Sequence, residues 1–222
     1  MSQEVFLPTV PSCAGQFYLD RQNRVCLTAP IEGDILSNNI RKVDWVLMSN
    51  SNLLNSFVCS GDTGNIQFNG VRYMLIRPET ICALQKSVEE KLGDASADIF
   101  FNSGLTGGKM STVKYMQLFS LSKKEAAQYM CDMGGQIGWG KFILEEFNVP
   151  AEKISIRVLN SAFAAYYGGS EKPVCHFIRG VVAGIALGVF EQPAEVVETL
   201  CLSKKDAFCR FETVGKSAGM VR

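Results

Sequence analysis

Three cysteines and a glutamate near the C-terminus constrain this chain more than any other feature. Cys175, Glu198, Cys201 and Cys209 all lie within residues 175–211 of a 222-residue chain. Twenty-two residues separate Cys175 from Glu198, two separate Glu198 from Cys201, and seven separate Cys201 from Cys209. Thiolate and carboxylate are both zinc ligands, and four such groups close a tetrahedral site with no open position.

The intervening pattern makes that closure feasible. Residues 195–203 and 207–214 alternate as strands do, and Lys204-Lys205-Asp206 between them is a polar turn. A hairpin centred on Lys205 sets Cys201 opposite Cys209, with Cβ atoms roughly 4.5–5.5 Å apart. Glu198 and Cys201 are three apart, so a regular strand would point them to opposite faces. A bulge or bend between them is required if both are ligands. Cys175 begins a helix, where amide N–H groups favour the thiolate. The set is net negative with zinc bound, and Lys204, Lys205, Arg179 and Arg210 are near enough in sequence to offset it. Two other readings stand beside this one. Free cysteines also behave as small buried hydrophobes, and Cys201 could join Cys209 in a disulfide, a bond disfavoured in a reducing compartment.

Composition narrows the class. At 47% hydrophobic and 20% charged, the chain can bury a core. Twenty-two acidic and twenty-two basic residues cancel, and no long basic run marks a nucleic-acid binder. Eight irregularly spaced cysteines and no recognisable signal sequence at Met1 point to the cytoplasm. The longest apolar stretch, residues 181–190, falls short of the roughly twenty residues that span a bilayer, so no transmembrane segment is expected.

Along the chain, residues 1–40 hold three of the seven prolines and show no sustained period. They read as an irregular extension with one short strand at 24–28, and Cys13 and Cys26 in it read as plain thiols. Residues 41–214 form the main domain and 215–222 a tail. Val43, Trp45 and Leu47 alternate as a strand within 41–48, and 53–58 fits either type. Residues 65–68 and 71–76 flank Asn69-Gly70, a dipeptide suited to a type I′ turn. Pro78 opens a helix over 79–92, with Ile81, Leu84, Val88 and Leu92 at helical spacing and Gly93 ending it. A helix is expected over 110–119, with 96–102 open to either type. Ser122 and Glu125 form a capping box that starts a helix to about Gly134. Strands follow at 140–147 and 153–159, then a helix over 175–189 and the hairpin. Hairpins and helices without repeated βαβ units argue an α+β fold with an antiparallel sheet.

Several patterns are decoys. Gly104 to Ser111 invites a phosphate-loop reading, but it has three residues between Gly104 and Gly108-Lys109, and Met110 follows the lysine. Walker A needs four residues, then Ser or Thr. His176 is the only histidine, so no histidine-based catalytic set forms without it, and beside Cys175 it reads as a supporting group. No GxGxxG fingerprint for a nicotinamide or flavin is present. Gly180, Gly184 and Gly188 make a bare stripe on one helix. It fits a close approach inside the chain or the seam of a homodimer.

Large aromatic and methionine side chains crowd the middle of the chain. Tyr129, Met133, Trp139, Phe142, Phe163 and Tyr167 are candidates for the wall of an apolar ligand pocket. Glycines 134, 135, 138 and 140 break the chain beside Trp139, which would let a loop open over a cavity.

The C-terminal motifs resemble the 4-vinyl reductase domain family. The matching pieces are Lys172-Pro173-Val174-Cys175-His176-Phe177-Ile178-Arg179-Gly180, Glu198-Thr199-Leu200-Cys201 and Lys205-Asp206-Ala207-Phe208-Cys209-Arg210-Phe211. Gly138-Trp139-Gly140-Lys141 and Val158-Leu159-Asn160-Ser161-Ala162-Phe163 match further upstream, so the resemblance runs from about Arg72 to Val214. It implies zinc at the positions of Cys175, Glu198, Cys201 and Cys209. It also implies a fold shared with phenol-sensor domains and with subunits of a vesicle-tethering complex. Relatives include proteins associated with bacteriochlorophyll or chlorophyll formation and photosystem assembly. The phenol sensors hold their ligand with a His and a Trp, and no histidine other than His176 is present to serve here. The expected function is therefore non-catalytic binding: a carrier, chaperone or sensor for a small hydrophobic ligand, a tetrapyrrole being one candidate. A structural zinc and a homodimeric state are expected with it. The alternatives are a reductase acting on a vinyl-bearing tetrapyrrole and a structural interaction subunit.

Overall fold

The computed structural model describes residues 57–214 in full and Tyr18–Leu19 and Val25–Cys26 as backbone. The chain divides into two compact units, Met1–Asn39 and Ile40–Arg222. In the first, β1 (Tyr18–Leu19) pairs antiparallel with β2 (Val25–Cys26), which falls within the strand expected at 24–28. Cys13 and the strand expected at 41–48 lie outside the described residues.

The second unit begins with an antiparallel meander of β3 (Phe57–Ser60), β4 (Asn65–Phe68) and β5 (Val71–Tyr73). Asn69 and Gly70 take φ of 47° and 74°, the left-handed pair that a type I′ turn demands. β5 stops at Tyr73, short of the expected 76. Tyr73 pairs with Ile66, and β4 has only Asn65 beyond it, so the ladder runs out of partner. Met74, Leu75 and Ile76 leave the sheet and face solvent.

Pro78 occupies the first turn of α1 (Pro78–Leu92), and Gly93 caps its end at φ 57°. The helix is rolled relative to its sequence stripe. Cys82 and Gln85 are buried, while Leu84 and Leu92 are about half exposed. Buried hydrogen bonding explains the roll: the Gln85 amide donates to Val174 O at 2.9 Å and to Glu89 Oε1 at 2.8 Å. A satisfied buried amide is costly to pull apart, so it outweighs two leucines left half wet.

A 3-10 turn (Gly93–Ala95) leads into α2 (Ser96–Phe119), one continuous helix over both segments read separately from the sequence. α3 (Lys123–Gln136) starts at the expected capping box, with the Glu125 N–H donating to Ser122 Oγ and the Ser122 N–H to Glu125 Oε2. β6 (Lys141–Asn148), β7 (Lys153–Leu159), β8 (Val196–Leu200) and β9 (Cys209–Thr213) form an antiparallel sheet in the order β6-β7-β9-β8. Short α4 (Ala162–Tyr167) and long α5 (His176–Phe190) connect β7 to β8.

α5 is apolar on nearly every side, and such a helix must be covered all round. It packs against the sheet, α3 and, most extensively, α2. Glycines make the α2–α5 contact possible. A Cβ on Gly180 would stand 2.0 Å from Phe101 O, and one on Gly184 2.4 Å from Leu105 O. From the other side, a Cβ on Gly104 would meet Phe177 O at 2.0 Å and one on Gly108 would meet Val181 O at 2.4 Å. The Gly180, Gly184 and Gly188 stripe is thus a seam within the chain, and a partner copy has no access to it. The same seam explains the false phosphate loop, whose glycines serve helix packing. Ile154, Ile156 and Val158 of β7 and Phe211 of β9 complete the core on the sheet side. Each fully buried side chain of this size contributes roughly 1.5–3 kcal/mol. The architecture is α+β, an antiparallel sheet packed with helices.

Candidate metal centre and ligand cleft

Cys175, Glu198, Cys201 and Cys209 converge, with their ligand atoms all within 4.8 Å of one another. Each arrives from a different local device. Cys175 is the N-cap residue of α5, and its N–H donates to Glu198 Oε2 at 2.9 Å. β8 carries a register shift between Glu198 and Leu200, the irregularity needed to aim Glu198 and Cys201 at one point. Leu200 pairs with Arg210, so Cys201 and Cys209 stand next in register. Their connection is wider than a tight turn and contains a 3-10 turn (Leu202–Lys204). It lets the Leu202 N–H donate to Cys209 Sγ at 3.3 Å and the Cys201 N–H to Asp206 Oδ2 at 2.8 Å.

The chemistry of the set fits a cation. Cys175 Sγ and Cys209 Sγ are 3.8 Å apart. That is the edge of a tetrahedron with metal–sulfur bonds of about 2.3 Å. The three cysteines are free, so the Cys201–Cys209 disulfide is not formed. Glu198 Oε1 is buried and accepts no hydrogen bond among the described residues. Left to themselves, the four groups cannot all ionise. Burial, then the Cys201 sulfur, raises Glu198 to about 8. Hydrogen bonds from the Cys175 and Cys209 thiols hold Cys201 far below the ordinary thiol value. At Cys209 the Cys175 hydrogen bond pulls downward, but the Cys201 sulfur and burial outweigh it and push the thiol up to about 12. A bound divalent cation inverts this logic, because a coordinating thiol is deprotonated outright. The set is compatible with zinc.

Two charges expected to offset the cluster are committed elsewhere. Arg210 pairs with Glu145 at 2.9 Å, and Arg179 lies over the Phe101 ring at 4.6 Å. Lys204 sits 4.0 Å from Asp206, whose carboxylate already receives the Cys201 N–H. Asp206 and Ser161, whose hydroxyl is 3.9 Å from Cys175 Sγ, are supports that ligand spacing alone did not reveal. His176 is the first residue of α5, and burial, then Arg179, lowers its pKa.

An open cleft of about 660 Å³ lies between the end of α3, the loop after it, the start of β6, and α4. Gly135, Gly138 and Gly140 supply bare backbone on one side, and Phe142 lines the cleft with its ring against Gly134. Asp132, Asn160 and Tyr166 add polar groups, and Pro78 marks one edge. Burial raises the Asp132 carboxyl, opposed by a Gln128 hydrogen bond.

Of the six side chains named as walls, Phe142 lines this cleft. Tyr129 is buried against Tyr115 and Phe119, with ring centroids at 5.1 and 5.4 Å, and Met133 is buried in the core. Trp139 is half-buried, edge-on to Phe163 at 5.6 Å and to Phe177 at 5.7 Å. Tyr167 donates its hydroxyl to Glu89 Oε2 at 2.6 Å beneath the Lys86 ammonium. Asp132, Asn160 and Tyr166 were missed, since a search for large apolar residues passes over the polar rim of a cleft.

Known proteins share parts of this chain. An uncharacterized protein of Methanocaldococcus jannaschii is 33% identical over 64 residues, which is 29% of this chain and 40% of that protein. The chain therefore spans about two fifths of the length of the curated relative it matches. Among solved structures, the phenol-responsive sensory domain of the transcription activator PoxR, with phenol, superposes with a TM-score of 0.65 at 18% identity. That match covers 80% of this chain and 90% of the sensory domain, and it places the two in one fold. A vinyl-4-reductase family protein from Methanocaldococcus jannaschii aligns with a TM-score of 0.44 at 18% identity, over 65% of this chain and 84% of that one. Residues 154–214 match the family model of the 4-vinyl reductase domain, a stretch that contains Cys175, Glu198, Cys201 and Cys209.

Proposed function

We propose that this chain is a non-catalytic binding protein, a carrier, chaperone or sensor, for a small hydrophobic ring-bearing molecule, and that a structural zinc ion staples its C-terminal sheet. The observation that carries the binding role is the cleft. Its volume of about 660 Å³ lies within the roughly 300–1,000 Å³ of ligand sites. Its bare glycine wall and the Phe142 ring suit a flat guest, and a few polar groups at its rim would orient one. The match to the 4-vinyl reductase domain model and the fold shared with a phenol-responsive sensor domain support the same reading. Zinc would be held by Cys175, Glu198, Cys201 and Cys209. Four protein ligands leave no coordination position for a substrate, so the metal's role is structural. A tetrapyrrole is the finer proposal for the guest.

A homodimer is retained as a proposal, with its seam away from the buried glycine stripe. Light scattering that gives a monomer mass at micromolar concentration rejects it. Cys59, Cys82, Cys131, Cys175, Cys201 and Cys209 are all free, which supports the cytoplasmic proposal.

The binding role is tested by fluorescence in a Trp45→Phe background, where Trp139 is the remaining tryptophan. A porphyrin or an aromatic ligand is expected to quench it. Trp139→Ala weakens uptake without removing zinc, and Ala165→Trp, on the cleft wall, blocks uptake with stability within ~0.5 kcal/mol. No quenching across a panel of porphyrins and aromatics leaves the interaction-subunit reading in place.

A further inference from the structure

We propose that the connector between β5 and α1, residues 72–77, docks the protein on an anionic lipid surface. Met74, Leu75 and Ile76 are 75%, 84% and 43% exposed. A run of three large apolar side chains in water is a liability unless something covers it. The run lies outside the β-ladder and precedes α1, so it forms no part of a packed stripe. It differs in this from Leu84 or Ile99, which stand singly on helix surfaces.

The flanks say what covers it. Arg72 and Arg77 bracket the run, both exposed, with no acidic residue between them. Arg77 pairs with Glu79 at 2.8 Å, at side-chain exposures of 80% and 47%. A pair that open to solvent holds weakly, and the guanidinium can turn to a lipid phosphate. An apolar tip between two cations matches the boundary between acyl chains and negatively charged headgroups, where apolar burial and basic attraction add. No described helix is long and apolar enough to cross a membrane, so the contact is peripheral.

The connector's position gives the contact a use. It runs directly into Pro78, which edges the cleft, and Tyr166 on the cleft wall is 53% exposed. A guest dissolved in lipid would meet the cleft without crossing bulk water. Lipid docking goes beyond the small-molecule reading and does not depend on it, since empty protein should dock equally.

The test is flotation of the full chain with vesicles of phosphatidylcholine alone and of phosphatidylcholine mixed with phosphatidylglycerol. The chain is expected to float with the mixed vesicles at low salt and much less with the neutral ones. The pair Met74→Ser and Leu75→Ser should lower the bound fraction roughly tenfold. The pair Arg72→Gln and Arg77→Gln should lower it about fivefold per arginine and abolish the salt dependence. Both pairs change exposed side chains, so the melting temperature should stay at the wild-type value. Wild-type protein that stays unbound with both vesicle types overturns the proposal, as does a serine pair that floats like wild type. A serine pair that melts lower, or that converts a wild-type dimer to monomer, overturns it too, the latter by assigning the patch to a second copy.

Discussion

The cysteine cluster and the cleft are built on one scaffold in opposite ways. Around the cluster, backbone amides of Cys175, Cys201 and Leu202 are each committed to a specific acceptor, and the three sulfurs are buried. Around the cleft, the wall is largely glycine backbone, and a side chain added at Gly138 would meet nothing within 4 Å. The first arrangement leaves no freedom and so serves stability. The second leaves room and so serves binding. Glycine marks the same contrast. At Gly180 it permits backbone contact between helices, while at Gly138 it permits a φ of 88° beside open space.

Four substitutions test that contrast, from the largest effect to the smallest. Cys201→Ser should abolish zinc binding and cost ~3–5 kcal/mol, as expected when one member of a buried polar cluster is lost. Elemental analysis and thermal unfolding read both effects, and retained zinc would remove Cys201 from the ligand set. Gly180→Ala should cost about 3 kcal/mol, at the upper end of overpacking, because its Cβ would collide with the Phe101 carbonyl and not with a side chain able to move. A melting temperature near wild type would mean that the α2–α5 seam is looser than described. Gly138→Ala should cost only about 1 kcal/mol, the strain of a left-handed alanine, while changing ligand uptake more than stability. Equal loss of both would erase the distinction between the two regions.

The smallest effect is a pH dependence at Asp132. Burial raises its folded-state pKa above the ordinary carboxylate value, against the Gln128 hydrogen bond. Folding therefore favours the protonated form. This contribution is full below the unfolded-state pKa and is lost as pH rises through the folded-state value. Asp132→Asn should flatten that limb of the stability curve, measured by denaturant titration across mildly acidic pH. An unchanged slope would mean that another group carries it.

Legibility followed local chemistry. Asn69-Gly70, Pro78 and the Ser122–Glu125 box each carry their structural reason within a few residues, and each was placed correctly. The bulge in β8 was deducible because Glu198 and Cys201 cannot otherwise share a face. The single span of α2 was harder to read, because three glycines at 104, 107 and 108 look like breakers until the facing helix is known. The roll of α1 was invisible for a similar reason: Gln85 is drawn inward by Val174, 89 residues away. The cleft was the least legible. Its walls come from α1, α3, β6 and α4, and its rim is polar, so no single stretch announces it.

Native mass spectrometry of freshly purified protein tests the central claim most directly, since it weighs metal and guest together. The account predicts one zinc per chain and, on part of the population, the added mass of a ring-bearing hydrophobic molecule that gentle activation releases while zinc stays bound. A chain that carries no guest, and takes up none from a panel of porphyrins and aromatics, would contradict it.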